Sequence, residues 1–96
     1  MLTTKQKCFL RGKAQTIKSV FQIGKDGIND NMLTDIRNYI NKHELMKISV
    51  LQNCLESKEE IADVFSSVGF EVVQIIGNQI IIYKENKKSK EHIQLP

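Results

Sequence analysis

Tryptophan is absent from this 96-residue chain, proline appears once, at position 96, and cysteine and histidine appear twice each. With no proline before the last residue, nothing along the body removes a backbone donor or forbids a helix interior. Cys8 and Cys54 lie far apart and form no CxxC pair, and His43 and His92 are equally scattered. Metal centres need clustered ligands, so no metal site is expected, and the cysteines read as reduced, packed or half-packed side chains. No apolar run approaches the roughly 18 to 20 residues that cross a bilayer. The opening MLTTKQKCF lacks the apolar core of a secretory signal, so a cytoplasmic protein with no membrane partner is expected.

Acidic residues are missing from the first quarter. Residues 1–25 carry Lys5, Lys7, Arg11, Lys13, Lys18 and Lys25 and no carboxylate, a charge of +6. Residues 26–83 sum to −5 and residues 84–96 to +2, which gives the net +3. A modest total therefore conceals a basic start, an acidic middle and a basic end, the asymmetry of a protein with one side turned to a polyanion. The length suits one domain, and 41% hydrophobic with 26% charged residues is ordinary globular composition. We read 1–84 as that domain and 85–96, ENKKSKEHIQLP, as a basic polar tail extending beyond the core.

Periodicity supplies the elements. Thr3 or Thr4 can cap a first helix that runs to about Gly12 or Ala14, with Leu2, Phe9 and Leu10 on its apolar side. Val20 to Ile23 is a short strand. Asn29, Asp30 or Asn31 can cap a second helix, in which Leu33, Ile36 and Ile40 recur at helical spacing and Met32 and Tyr39 broaden the face. Leu45 to Leu51 alternates as a half-buried strand. Ser57 and Glu60 form a capping box that opens a third helix, with Ile61, Val64, Phe65 and Val68 inward and Gly69 at its end. Glu71 to Ile76 and Gln79 to Tyr83 flank Gly77-Asn78, a tight hairpin turn. The order α-β-α-β-α-β-β predicts an α+β fold: a four-stranded mixed sheet with three helices in two layers.

Function turns on QIGKDGIND, where a strand ends, two glycines stand three apart and a helix begins within a few positions. Glycine permits positive φ and lets a foreign backbone come close. The amides of such a loop and of the following helix turn are donors suited to phosphate, and Lys25 adds a mobile cation. Asp26 is expected to point away or to cap its own turn. Neither the dinucleotide fingerprint nor the P-loop pattern is present, so no cofactor or small-molecule substrate is expected. No nucleophile, base and orienting group stand in a usable pattern, so catalysis is not expected. His43 and Glu44 fall in the helix-to-strand turn or on opposite faces of a strand. Phe9, Phe65 and Phe70 are expected in the core, with Phe21 and Tyr83 open between core and stacking platform.

Three blocks in order, LRGKAQTIKSVFQIGKDGI, HELMKISV and GFEVVQIIGNQIIIYK, resemble the YhbY-like, single-domain members of the CRM-domain RNA-binding proteins. The resemblance covers nearly the whole chain. It implies a fold similar to the C-terminal domain of translation initiation factor 3, a KH-like GxxG loop used on RNA, and association with ribosomal RNA in precursors of the large ribosomal subunit. By position it assigns the loop to Gly24, Lys25, Asp26 and Gly27, and the basic approach to Arg11, Lys13 and Lys18. Lys5 and Lys7 extend that positive stretch along the first helix. Ser19, Gln15 and the Asn29-Asp30 helix entry depart from the usual pattern and touch neither the glycines nor the cations. RNA is thus the expected partner of a monomer. The alternative is a protein-interaction module whose acidic middle docks an assembly or translation factor.

Overall fold

The computed structural model describes residues 2–25, 27–86, 88, 93 and 95. Its elements are α1 (Thr4–Ala14), β1 (Ser19–Ile23), α2 (Asp30–His43), β2 (Leu45–Val50), α3 (Lys58–Ser67), β3 (Glu71–Ile76) and β4 (Gln79–Tyr83), in the expected order. Each helix start has a side-chain cause. Thr3 Oγ1 accepts the Gln6 N–H at 3.1 Å while Gln6 Oε1 accepts the Thr3 N–H at 3.0 Å, a reciprocal capping box. Asn29 Oδ1 accepts the Met32 N–H at 2.8 Å, and Ser57 Oγ accepts the Glu60 N–H at 3.1 Å. Gly77, at φ +56°, makes the turn that sets Ile76 opposite Gln79 in the β3–β4 hairpin.

The sheet order is β1-β2-β4-β3. β1 runs parallel to β2, a pairing that needs a crossover, which α2 supplies. The hairpin places β4 antiparallel to both β2 and β3, so β4 is central and β1 and β3 are the edges. A central strand buried on both faces has no polar alternate positions, and QIIIY has that character from Ile80 onward.

Ile80 and Ile82 pack with Ile36, Ile40, Ile61 and Phe65 of α2 and α3. Ile81 and Tyr83, on the opposite face, pack with Leu10 and Ala14 of α1 and with Leu45 and Val73. The two-layer packing expected from the sequence is thus extended by a third layer, because β4 has an apolar face for α1 as well. Each fully buried isoleucine stabilises by about 1.5–3 kcal/mol, so the larger α2/α3 core carries most of the burial. Ile93 and Leu95 pack against the α1-side cluster, so the described part of the tail returns to the body.

Two irregularities shape the surface near β1. The β1–β2 register shifts between Ser19 and Phe21, which inserts Val20 as an extra residue and leaves it exposed. Glu44, between α2 and β2, adopts φ +66° and is fully buried. Its carboxylate accepts the N–H groups of Asn86 and Ile93, and its carbonyl accepts the Lys84 N–H at 2.9 Å. This adjacent His43-Glu44 pair therefore belongs to a helix end, where Glu44 anchors the tail.

Candidate nucleic-acid interface

The glycine loop connects β1 to the N-terminus of α2. Its turn closes through the Gly27 N–H, which donates to the Gly24 carbonyl at 3.0 Å. Gly27 has φ +67°, a conformation that L side chains rarely adopt, and is buried. The side chain of Glu56, from the loop before α3, lies where a Cβ on Gly27 would project, and a methyl there would overlap Oε1. The same Oε1 accepts the Ile28 N–H at 3.2 Å. Two of the loop's N–H groups are therefore committed inside the protein, one to the turn and one to a carboxylate.

Gly24 differs. A Cβ there would meet only Leu51 Cδ1, at an ordinary 3.7 Å, and Gly24 has no positive φ. A side chain at half-buried Gly24 would make only ordinary contact, whereas the space at Gly27 is filled by the protein's own Glu56. Lys25 is exposed at the tip. Asp26 lies outside the described residues, as do the tail residues Lys87, Lys90 and His92.

The basic residues of the first quarter divide. Residues spaced by four share a helix flank, so Lys5, Phe9 and Lys13 line one side of α1 and Lys7 and Arg11 the other. Lys13 and Lys18 border a groove of about 490 Å³ at the start of β1, between the C-terminal ends of α1 and α2. Arg11 borders a separate groove with Gln74 and Ile76 of β3, at the far edge of the sheet, and donates to Cys8 Sγ at 3.2 Å. Lys25 stands at the opposite end of β1 from Lys18, roughly 20 Å along an extended chain. The expected single positive track thus resolves into two cations at a groove, one cation at the loop, and Arg11 apart from both.

Phe9 is 37% exposed, against its expected place in the core. The residues of α1 that meet the sheet are Leu10 and Ala14, one turn apart, and Phe9 is rotated from them by about 100° and 140° respectively. Its ring carries Lys13 Nζ at 5.7 Å instead. Phe65 and Phe70 are buried as expected, and Tyr83 joins them. Burial, then the nearby charges of Glu44 and Glu85, push the Tyr83 hydroxyl up to about 12, and that hydroxyl has no hydrogen-bond partner among the described residues.

Sequence reasoning missed the floor of the groove. Tyr39 and His43, one turn apart on α2, place their rings 4.2 Å apart at an interplanar angle of 32°. The edge of Phe21 supports Tyr39 at 6.0 Å and 89°. Ile17 and exposed Val20 add apolar wall, and Ile93 adds the tail's contribution. The i, i+4 spacing of Tyr39 and His43 is the signal in the sequence; taken singly, Tyr39 broadens the apolar face of the second helix and His43 falls at its end. Among the described residues no three His, Cys, Asp or Glu side chains stand together as a metal centre would need, and no helix is long and apolar enough to cross a membrane.

Comparison with known proteins places these features in a family. Residues 2–84 match the model of the CRS1 / YhbY (CRM) domain. The chain is 48% identical to the Bacillus subtilis (strain 168) protein named "Probable RNA-binding protein YqeI", with full coverage of both. It is 35% identical to a Haemophilus influenzae protein named "RNA-binding protein", over 99% of this chain and 95% of that one. The solution structure of a Staphylococcus aureus protein, described as an RNA-binding candidate, is also similar: 47% identical, with a TM-score of 0.81 and full coverage of both chains.

Proposed function

The chain belongs to the CRS1 / YhbY (CRM) domain family, and on that premise we propose that it binds RNA in the cytoplasm as a monomer, without transforming it. The RNA of this proposal is ribosomal RNA in precursors of the large ribosomal subunit, whose assembly the protein assists. The observation that carries the reading is the positive charge at both ends of the edge strand. Lys13, at the end of α1, and Lys18, just before β1, border the groove at the strand's start, and Gly24-Lys25 follow its end, with no acidic residue in the first 25 positions. RNA backbone lying along this edge meets positive charge at both ends and, at Gly24, a place where it can approach the protein main chain. Glu56 opposes it at the inner side of the loop. Contact at the loop therefore runs through Lys25 and the Gly24 corner more than through the N–H groups of Gly27 and Ile28. Lys5 extends the same flank of α1, and Lys7 and Arg11 serve a weaker second contact.

Such binding is mainly electrostatic. Against protein-free ribosomal RNA, the logarithm of affinity should fall with the logarithm of salt by about 0.7 for each phosphate contact on single strands. A flat salt response, or no interaction with naked RNA, would remove this reading. The second result would favour docking to a protein factor through the acidic middle of the chain, where residues 26–83 sum to −5.

A further inference from the structure

We propose that the groove at the start of β1 is a nucleobase slot: one base of the bound strand stacks with the Tyr39–His43 ring pair while adjoining phosphates sit on Lys13 and Lys18. The proposal rests on the RNA reading above and deepens it, because a backbone clamp alone would leave every base unread.

The groove has the parts such a ligand needs. At about 490 Å³ it lies within the range of small-molecule sites and admits a nucleotide. Its two rings already lie against each other at a 32° tilt and Phe21 packs T-shaped on Tyr39, so the platform is formed before the ligand arrives. Ile17 and Val20 supply apolar wall, and the register shift in β1 is what directs Val20 outward. Lys13 and Lys18 stand at the rim, and no acidic side chain is among the described residues that line the groove.

The two helix ends nearby carry partial negative charge, about half an elementary charge each, which the full positive charges of Lys13 and Lys18 outweigh. The last carbonyls of α1 are satisfied locally: Gly12, Lys13 and Ala14 accept the N–H groups of Gln15, Thr16 and Ile17, and Lys13 also accepts the Thr16 hydroxyl at 2.8 Å. A cationic rim over a ring platform suits a nucleotide better than an apolar peptide, which would have no use for the lysines. Base–aromatic stacking is also tolerant of sequence, since every base has a π-face.

The test compares a single-stranded RNA oligonucleotide with an abasic strand of the same length, binding to the full chain and to its Tyr39→Leu and His43→Ala variants. Wild type should bind RNA more tightly than the abasic strand. Each folded variant should lose roughly 5- to 100-fold on RNA, the range of one base–aromatic stack, and nothing on the abasic strand. In the wild type, RNA should also shift the Tyr39 and His43 ring proton resonances upfield, which decides the matter even if Tyr39→Leu does not fold. Equal wild-type affinity for both strands, equal losses on both, or unmoved ring signals would overturn the slot and leave the electrostatic reading standing. Wild type that binds neither strand would overturn both.

Discussion

The Glu56 side chain fills the space that Gly27 leaves by having no Cβ, and its Oε1 accepts the neighbouring Ile28 N–H at 3.2 Å. A carboxylate of the protein thus sits where a phosphate oxygen would meet the same loop. Glu56 and Gly27 are 29 residues apart in sequence, brought together because Leu51, which follows β2, donates its N–H to the Ile23 carbonyl at the end of β1 at 2.8 Å.

The two glycines should therefore answer substitution differently. Gly27→Ala forces a side chain into φ +67° and against Glu56, and should cost at least about 1–2 kcal/mol of stability. Gly24→Glu should leave the melting temperature nearly unchanged and weaken RNA binding several-fold. Thermal denaturation with binding titrations checks both, and a Gly27→Ala variant as stable as wild type would show that the Glu56 contact is not a constraint.

Removing the carboxylate should help the ligand. Glu56→Gln keeps the shape and deletes one negative charge beside the loop, so affinity for RNA should rise by roughly 2- to 10-fold at low salt, with the gain shrinking as the Debye length falls below about 8 Å. Titrations at two salt concentrations read this directly. A loss of affinity would mean that the charge holds the loop in its binding form.

Cation substitutions separate the two grooves. Lys18→Gln and Lys25→Ala should each make the salt slope shallower by about 0.7, while Arg11→Gln should change it less. Arg11 is half-buried against Cys8 at the β3 side, away from the β1 edge. A larger effect from Arg11 than from Lys18 would move the interface to the other flank of α1.

Glu44 should be the costliest acidic residue to lose. Glu44→Ala deletes the acceptor of the Asn86 and Ile93 N–H groups from a fully buried position. Hydrogen bonds to a charged group contribute about 1.5–3 kcal/mol each, so a loss of several kcal/mol is expected. Faster amide exchange at Asn86 and Ile93 than elsewhere would locate the damage.

Tyr83 gives the pH dependence. Its hydroxyl is pushed up to about 12, by burial first, so above the ordinary value of 10.0 the unfolded chain releases this proton while the folded one retains it. The contribution is intact below pH 10.0, and stability falls as pH rises from there through about 12. Tyr83→Phe should blunt that alkaline loss and cost little at neutral pH, because the buried hydroxyl has no partner among the described residues. Denaturant midpoints at neutral and alkaline pH provide the check.

Local chemistry made much of this protein readable in advance. Asn29 and Ser57 cap their helices because a side-chain oxygen satisfies a donor three residues away, and Gly77 turns the hairpin through its own φ. The alternation in LMKISV and the helical spacing of Leu33, Ile36 and Ile40 fix faces by geometry internal to each element. Relations between elements were not readable in this way. That Glu56 fills the corner at Gly27, that Phe9 is turned outward, that Arg11 leaves the company of Lys18, and that Tyr39 and His43 floor a groove all depend on how helices seat on the sheet. Capping and periodicity act over three or four residues and are written into the chain, whereas the neighbours of a side chain across the fold are set by packing, which only the tertiary structure decides.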